Sequence, residues 1–343
     1  MPIAVARIKP RESRRPLIVD IRRGSLDDGP GIRSVVFFKG CPLRCVFCHS
    51  PETQEIYPEI AFTEERCIHC GSCVKACPQA ALDLSSPTRI GRDRCDLCGA
   101  CEDACPTSAL RIVGKYWPVD SLVELLLRDV SFYRHSGGGV TLSGGECTLF
   151  PEYVETLLLK LKVLGVHVAV ETSGWFDYEV FAKKILPFLD LIFFDLKLMG
   201  ADESRRYLGQ SNEKILENLR RLLAEPRRAG RVEVRPRVPL IPDITDTRMN
   251  LSRVVNRLYD LGASTLSVLP YNPLGLAVYS RLGKPAPHLS TSFTKPDREA
   301  ELVDTVRSLI AGDRWRPRRG QIYTQSTLSC EELSANYRAA FQD

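Results

Sequence analysis

The chemistry legible in this chain begins with its cysteines. Cys41, Cys45 and Cys48 form CPLRCVFC, a CxxxCxxC loop directly after the apolar run VVFFKG (35–40). Three thiolates so spaced can hold three irons of a cubane cluster and leave the fourth iron open to an outside ligand; a structural cluster is normally closed by a fourth cysteine. Zinc is the alternative, but it favours paired CxxC units over an uneven triplet. Two further segments, CIHCGSCVKACP (67–78) and CDLCGACEDACP (95–106), each carry four cysteines spaced C-x2-C-x2-C-x3-C-P. Such short spacings make poor disulfide staples but bring several thiolates to one metal centre. Eleven of the 13 cysteines lie before residue 106, so the composition points to metal clusters and a reducing cytoplasm. Cys147 and Cys330 read as ordinary buried thiols.

The tandem segments resemble two-cluster bacterial ferredoxins, in which the fourth cysteine of each run ligates the other cluster. That resemblance implies that Cys67, Cys70, Cys73 and Cys105 hold one cluster, and Cys95, Cys98, Cys101 and Cys77 the other. Gly71 and Gly99 let the backbone wrap closely around sulfur. A redox-silent structural pair of clusters is the blander alternative.

These loops need elements to hold them. The chain opens after residue 16 with a strand, turns at DDGPGIR (27–33), and continues into VVFFKG. From 118 onward, apolar strands near 139–143, 166–172, 190–196, 232–238 and 264–270 alternate with helical patterns near 119–134, 151–164, 178–187, 212–224 and 247–261. A last helix is expected over 296–311. With VVFFKG this makes about six β/α repeats, hence a parallel sheet wound by right-handed crossovers into a partial (β/α)6 TIM-like barrel. In such folds the site lies at the C-terminal ends of the strands. SGGE (143–146), ETSG (171–174) and DLK (195–197) each end one of these strands. The expected units are a discontinuous core of 17–62 and 110–312, a ferredoxin-type insertion of 63–109, a basic tail of 1–16 and a C-terminal extension of 313–343.

CxxxCxxC with aromatic Phe47 before its last cysteine resembles the signature of radical S-adenosylmethionine (SAM) enzymes. The order DGPGIR, FxKGCPLRCxxCHxPE, SGGE, ETSG, DLK, NxxILxNL, RxPLIPD, LPYNPLG resembles, more narrowly, the activating enzymes of glycyl radical enzymes over residues 17–285. The expected fold is then an α/β radical SAM barrel carrying an inserted domain with two [4Fe–4S] clusters. The resemblance implies three [4Fe–4S] clusters in all, with SAM as cosubstrate on the open iron and a monovalent cation beside it. The implied SAM contacts are Phe47, Cys48, His49, Gly144, Gly145, Glu146, Glu171, Thr172, Asp195, Leu196, Lys197, Arg237 and Asn272. Cys147 stands where the family has proline, Asn272 where it has histidine, and Ser50 where it has asparagine. The implied reaction is hydrogen abstraction from a backbone glycine of a partner glycyl radical enzyme, with reduced ferredoxin or flavodoxin as electron donor. Asp28, Gly29, Pro30 and Gly31 are candidates for receiving the partner's glycine loop, or a plain strand connector.

Composition narrows the field. Hydrophobic residues make up 44% and charged residues 26% of 343, which suits a sizeable globular core. No apolar run is long enough to span a membrane, and the N-terminus lacks a signal-peptide core. Of the net charge of +5, residues 1–16 carry +4 (Arg7, Lys9, Arg11, Arg14 and Arg15 against Glu12), so nucleic acid is not expected as a partner. The competing readings are radical SAM chemistry on another peptide or a small molecule, and a polyferredoxin electron carrier. About 230 residues of β/α pattern after the clusters weigh against the carrier.

Overall fold

The computed structural model describes residues 15–86, 89–224, 232–312 and 322–324. The expected tail of 1–16 falls almost wholly outside them, as does the C-terminal extension with Cys330.

The strands are β1 (Leu17–Ser25), β2 (Arg33–Lys39), β3 (Glu59–Phe62), β4 (Leu110–Val113), β5 (Lys115–Tyr116), β6 (Gly139–Gly144), β7 (His167–Thr172), β8 (Leu191–Asp195), β9 (Glu233–Leu240), β10 (Leu266–Pro270) and β11 (Ile322–Thr324). The helices are α1 (Ser72–Ala76), α2 (Ala100–Asp103), α3 (Val119–Leu127), α4 (Val130–Ser136), α5 (Pro151–Val163), α6 (Tyr178–Lys184), α7 (Ala201–Leu208), α8 (Glu213–Ala224), α9 (Arg248–Asp260), α10 (Gly275–Arg281) and α11 (Pro296–Gly312). One sheet runs β11-β10-β9-β8-β7-β6-β2-β1-β5. It is parallel from β2 to β11, while β1 pairs antiparallel with both β2 and β5.

The central strands are buried over most of their length. Val140 and Leu142 of β6, and Val168, Ala169 and Val170 of β7, have no exposed surface. A strand covered on both faces reads as a continuous apolar run rather than an alternation. Helices start where polar caps allow it: Asp177 accepts from Val180 N at 3.1 Å to begin α6, and Thr247 accepts from Asn250 N at 3.2 Å to begin α9. The helix expected over 119–134 is two helices, α3 and α4. The break falls at Asp129, whose carboxylate accepts from Arg23 Nε at 2.7 Å and Ser34 Oγ at 2.8 Å. That pull toward β1 and β2 holds Asp129 at φ −103°, outside the helical region. Helices α7 and α10 lie in stretches read as connections, because each is only two turns long.

β3 and β4 form an isolated antiparallel pair, with Phe62 opposite Leu110 and Glu59 opposite Val113. Residues 63–109 are the connection between them. With the strand pair they form a small separate core of Ile60, Leu82, Ile90, Cys101 and Leu110. Their two halves repeat at an offset of 28 residues: Gly71 and Gly99 are left-handed at φ 74° and 79°, as are His69 and Leu97 at 55° and 60°. Ala81 N lies 3.3 Å from Cys77 Sγ, and Ala109 N lies 3.2 Å from Cys105 Sγ. Among the described residues, no helix is long and apolar enough to cross a membrane.

Candidate functional site

At the C-terminal edge of the parallel strands, two loops are bolted together by backbone. Gly145 N donates to Phe38 O and Glu146 N to Gly40 O, both at 2.8 Å. A Cβ on Gly145 would lie 2.1 Å from Gly40 O, and one on Gly144 would lie 2.4 Å from Phe38 N. Only glycine lets the end of β6 approach the cysteine loop this closely. The loop is pinned from its far side by α7: Arg44 N donates to Leu208 O at 2.8 Å and Val46 N to Tyr207 O at 2.9 Å. These carbonyls lie in the last turn of a helix, where no intrahelical donor reaches them.

A cavity of about 360 Å³ opens against this loop. Cys41, Cys45 and Cys48 line it, with Phe47 and His49 between and beside them. Gly144 and Gly145 come from β6, Glu171 and Thr172 from β7, Asp195 and Lys197 from the end of β8, Arg237 from β9, and Asn272 from the segment after β10. The structure thus gathers these candidates from six neighbouring strands onto one space. Burial pushes the Cys48 thiol up to about 12 and raises those of Cys41 and Cys45 as well. Such thiols keep their protons until a metal displaces them.

Four of the lining side chains form one ionic chain. Arg237 donates to Glu171 Oε1 at 2.6 Å and, through Nε, to Asp195 Oδ1 at 2.9 Å. Lys197 donates to Asp195 Oδ2 at 3.0 Å, and Ser143 Oγ to Glu171 Oε2 at 2.5 Å. The guanidinium also lies 4.7 Å from the centre of the Phe193 ring. Burial would push the Asp195 carboxyl up, but Arg237 and then Lys197 overcome it and hold it below the usual carboxylate range. Each oxygen of Glu171 and Asp195 therefore accepts at least one hydrogen bond within this chain.

Two expected contacts do not face the cavity. Glu146 is fully buried behind it: its carboxylate accepts from Thr148 Oγ1 at 2.8 Å, Thr172 Oγ1 at 2.9 Å, Ser173 N at 2.9 Å and Ser173 Oγ at 2.7 Å. Leu196 is buried too and donates its backbone N–H to Arg237 O at 2.8 Å. Asn272 accepts from Leu274 N at 2.9 Å and is hydrogen-bonded to the His49 ring.

The DGPG segment enters β2 and so lies at the N-terminal edge of the parallel strands, opposite the cysteine loop. Asp28 reaches the cavity from that side and accepts from Ser25 Oγ. Gly29, Pro30 and Gly31 do not line it. Pro30 O accepts from the fully buried Arg33 at 3.1 Å, and a Cβ on Gly31 would meet Gly138 N at 2.4 Å. Arg22, Ser143 and Ser173 were absent from the expected set. Ser143 was discoverable, since it opens SGGE, whereas Arg22 on β1 carries no local signal.

The eight cysteines of the two tandem segments surround two separate spaces. Cys67, Cys70, Cys73 and Cys105 line one, with Phe62 and Leu110 of the strand pair beneath. Cys77, Cys95, Cys98 and Cys101 line the other, over Ile60 and Ile112. Each space draws three cysteines from one half and the fourth from the other. Among the described residues, no three His, Cys, Asp or Glu side chains close on a single metal ion. The thiols surround a volume rather than a point, which suits a multi-iron cluster.

Family models for a 4Fe-4S dicluster domain and a 4Fe-4S single cluster domain match residues 59–106 and 27–82. The benzylsuccinate synthase activating enzyme of Thauera aromatica is 38% identical over 304 residues, 86% of this chain and 90% of the relative. The trans-4-hydroxy-L-proline dehydratase activating enzyme of Clostridioides difficile is 39% identical over 78% of this chain and 88% of its own length. The pyruvate formate-lyase 2-activating enzyme of Escherichia coli is 36% identical over 78% and 81%.

Proposed function

We propose a site-by-site reading from the premise that the chain belongs to the glycyl radical enzyme activating enzymes, as 36–39% identity to these relatives over most of its length shows. It is a radical SAM enzyme that uses iron–sulfur clusters to form a glycyl radical on a partner enzyme. A reduced cluster held by Cys41, Cys45 and Cys48 would supply one electron for cleavage of SAM to methionine and a 5′-deoxyadenosyl radical, and that radical would take a hydrogen atom from the partner's glycine to give 5′-deoxyadenosine.

In this reading the parallel strands form a partial (β/α)6 barrel over 17–62 and 110–312, and 63–109 are an inserted two-cluster domain. Cys41, Cys45 and Cys48 hold the SAM cluster. Cys67, Cys70, Cys73 and Cys105 hold a second cluster, and Cys77, Cys95, Cys98 and Cys101 a third. The observation that carries the reading is the convergence of the cysteine triplet and the Glu171–Arg237–Asp195–Lys197 chain on one cavity. Two cations balanced by two anions make a neutral wall, which can receive a zwitterionic amino acid group without leaving a charge unpaired. Gly144 and Gly145 keep that wall free of side chains beside the cysteine loop. Phe47, His49 and Asn272 close the side toward α10 and suit a flat adenine ring. Glu146 fixes Thr172 and Ser173 rather than touching the cofactor. No general base is required, so catalysis rests on positioning and exclusion of water.

Reduced ferredoxin or flavodoxin is the proposed donor, with the insertion relaying its electron. Asp28, Gly29, Pro30 and Gly31 form the proposed partner-facing turn at the opposite mouth. The test is anaerobic reconstitution followed by assays of iron and 5′-deoxyadenosine. About twelve irons per chain, four for each cubane, are expected. Deoxyadenosine should form with SAM and dithionite only while Cys41, Cys45 and Cys48 are intact. Eight irons and no deoxyadenosine would leave an electron carrier. Replacing Cys67 or Cys95 should spare the dithionite-driven reaction and slow the donor-driven one; an unchanged donor-driven rate would sink the relay.

A further inference from the structure

The seam between the cysteine loop and the insertion is closed by a triad, two of its members buried, that the reaction above does not use. Lys39, the last residue of β2 and two before Cys41, has no exposed surface. Its ammonium donates to Glu52 O at 2.6 Å and to Glu59 Oε2 at 2.7 Å. Glu59 opens β3, the strand that leads into the insertion. Its other oxygen, Oε1, lies 2.6 Å from Lys284 Nζ. Gly114 packs on the Lys39 stem, where a Cβ would come within 2.6 Å of Lys39 Cδ.

Lys284 belongs to a segment that touches both sides of the seam. α10 begins at Gly275, where a Cβ would lie 2.6 Å from His49 O and 2.8 Å from Cys48 O. In its middle, the buried Tyr279 phenol is hydrogen-bonded to Gln54, whose amide donates to Cys45 O at 3.2 Å. Past its end, Leu282 packs with Ala61 and Val113 of the strand pair. Gly283 abuts Arg92, whose Nη1 donates to Ile60 O at 2.8 Å. Seven helical residues span about 10 Å, with the Cys48 backbone at one end and the root of the insertion at the other.

We infer that α10 is a strut, and Lys39–Glu59–Lys284 its latch, that together hold the inserted two-cluster domain at a fixed separation from the CxxxCxxC loop. Glu59 and Lys284 are positioning residues: they touch neither SAM nor the partner's glycine. The inference rests on the relay reading for its functional consequence, but the latch itself can be observed without it. A carboxylate held between a fully buried and a part-buried cation is a costly arrangement to break, because removing Glu59 leaves both ammonium groups without their carboxylate partner. An apolar contact alone would permit the strand pair to slide, whereas a triad of fixed geometry does not.

The experiment uses the reconstituted full chain carrying Lys284→Met, with Lys284→Arg as the conservative control. Three quantities are read anaerobically. These are hydrogen exchange at residues 59–62 and 110–113, magnetic broadening between clusters in the reduced spectrum, and deoxyadenosine formation driven by dithionite or by reduced flavodoxin. Lys284→Met should raise exchange in both strands and narrow the reduced spectrum. It should slow the flavodoxin-driven reaction about tenfold, as displacements of order 1 Å can, while the dithionite rate stays within about twofold. Lys284→Arg should restore all three. Unchanged exchange and spectrum would overturn the latch whatever the rates do. Loss of the dithionite rate too would overturn it, since the triad would then serve the cysteine loop itself. If exchange and spectrum change but the flavodoxin rate holds, in this variant and in Cys67→Ser alike, the latch stands and the relay reading falls.

Discussion

Glu146 is a motif residue that the fold places behind the cavity rather than on its wall. Its carboxylate collects a backbone N–H and three hydroxyls from two strand ends, and none of it reaches the cavity. Burial raises its pKa, a cost that these four donors offset. Glu146→Ala should destabilise the fold by about 1–3 kcal/mol for each donor left unpaired, seen as a lower thermal midpoint of the anaerobic protein. Glu146→Gln should lose less, since its one amide oxygen can still accept from Ser173 N and Oγ while the Thr148 and Thr172 hydroxyls turn to accept from its NH2 group. Arg237 makes the opposite case, because it faces the cavity and bridges two acids. Arg237→Ala leaves Glu171 and Asp195 without their shared cation, a loss of about 3–5 kcal/mol for a broken buried pair. Calorimetric titration should show SAM affinity falling with it. Arg237→Lys should recover little, because one ammonium cannot reproduce a fork that holds both carboxylates.

At the scale of elements, the site depends on strand ends meeting closely. Gly145→Ala would set a methyl carbon 2.1 Å from Gly40 O, and no side-chain movement relieves a clash with backbone. The expected outcome is a retreat of the β6 end from the cysteine loop. SAM binding should fail while the eight irons of the insertion persist, checked by iron analysis and titration (about four irons per cubane). The strand pair β3–β4 makes a second element-scale prediction. Because Phe62 and Leu110 face each other, replacing 63–109 with a two-residue Asn-Gly turn should keep the pair closed. The shortened chain should bind about four irons and still cleave SAM with dithionite. Failure to fold would show that the insertion's small core supports the barrel. The helix breaks carry the same lesson. α3 and α4 part at Asp129 because a residue more than ninety positions away in sequence claims its carboxylate, which periodicity cannot register.

Across the whole molecule, local patterns and distant contacts divided the work. The cysteine spacings, the alternation of β/α units and the motifs at strand ends were legible in the sequence, because ligand spacing, strand period and tight turns are settled within a few residues of each other. The resemblance to the activating enzymes rested on those same short motifs, and the identity of the relatives shows that family. Tertiary structure alone decided which motif residues face the cavity. It turned Glu146 inward, bridged the carboxylates of Glu171 and Asp195 with Arg237 from β9, and brought Asp28 to the same cavity as the cysteine loop. It also joined Lys39, Glu59 and Lys284 across the seam. Each of these rests on side chains brought together from 20 to more than 200 residues apart, by strands pairing in one register. A sequence states which groups are available, and only the paired sheet determines which of them are close enough to share a proton, a charge or a cofactor.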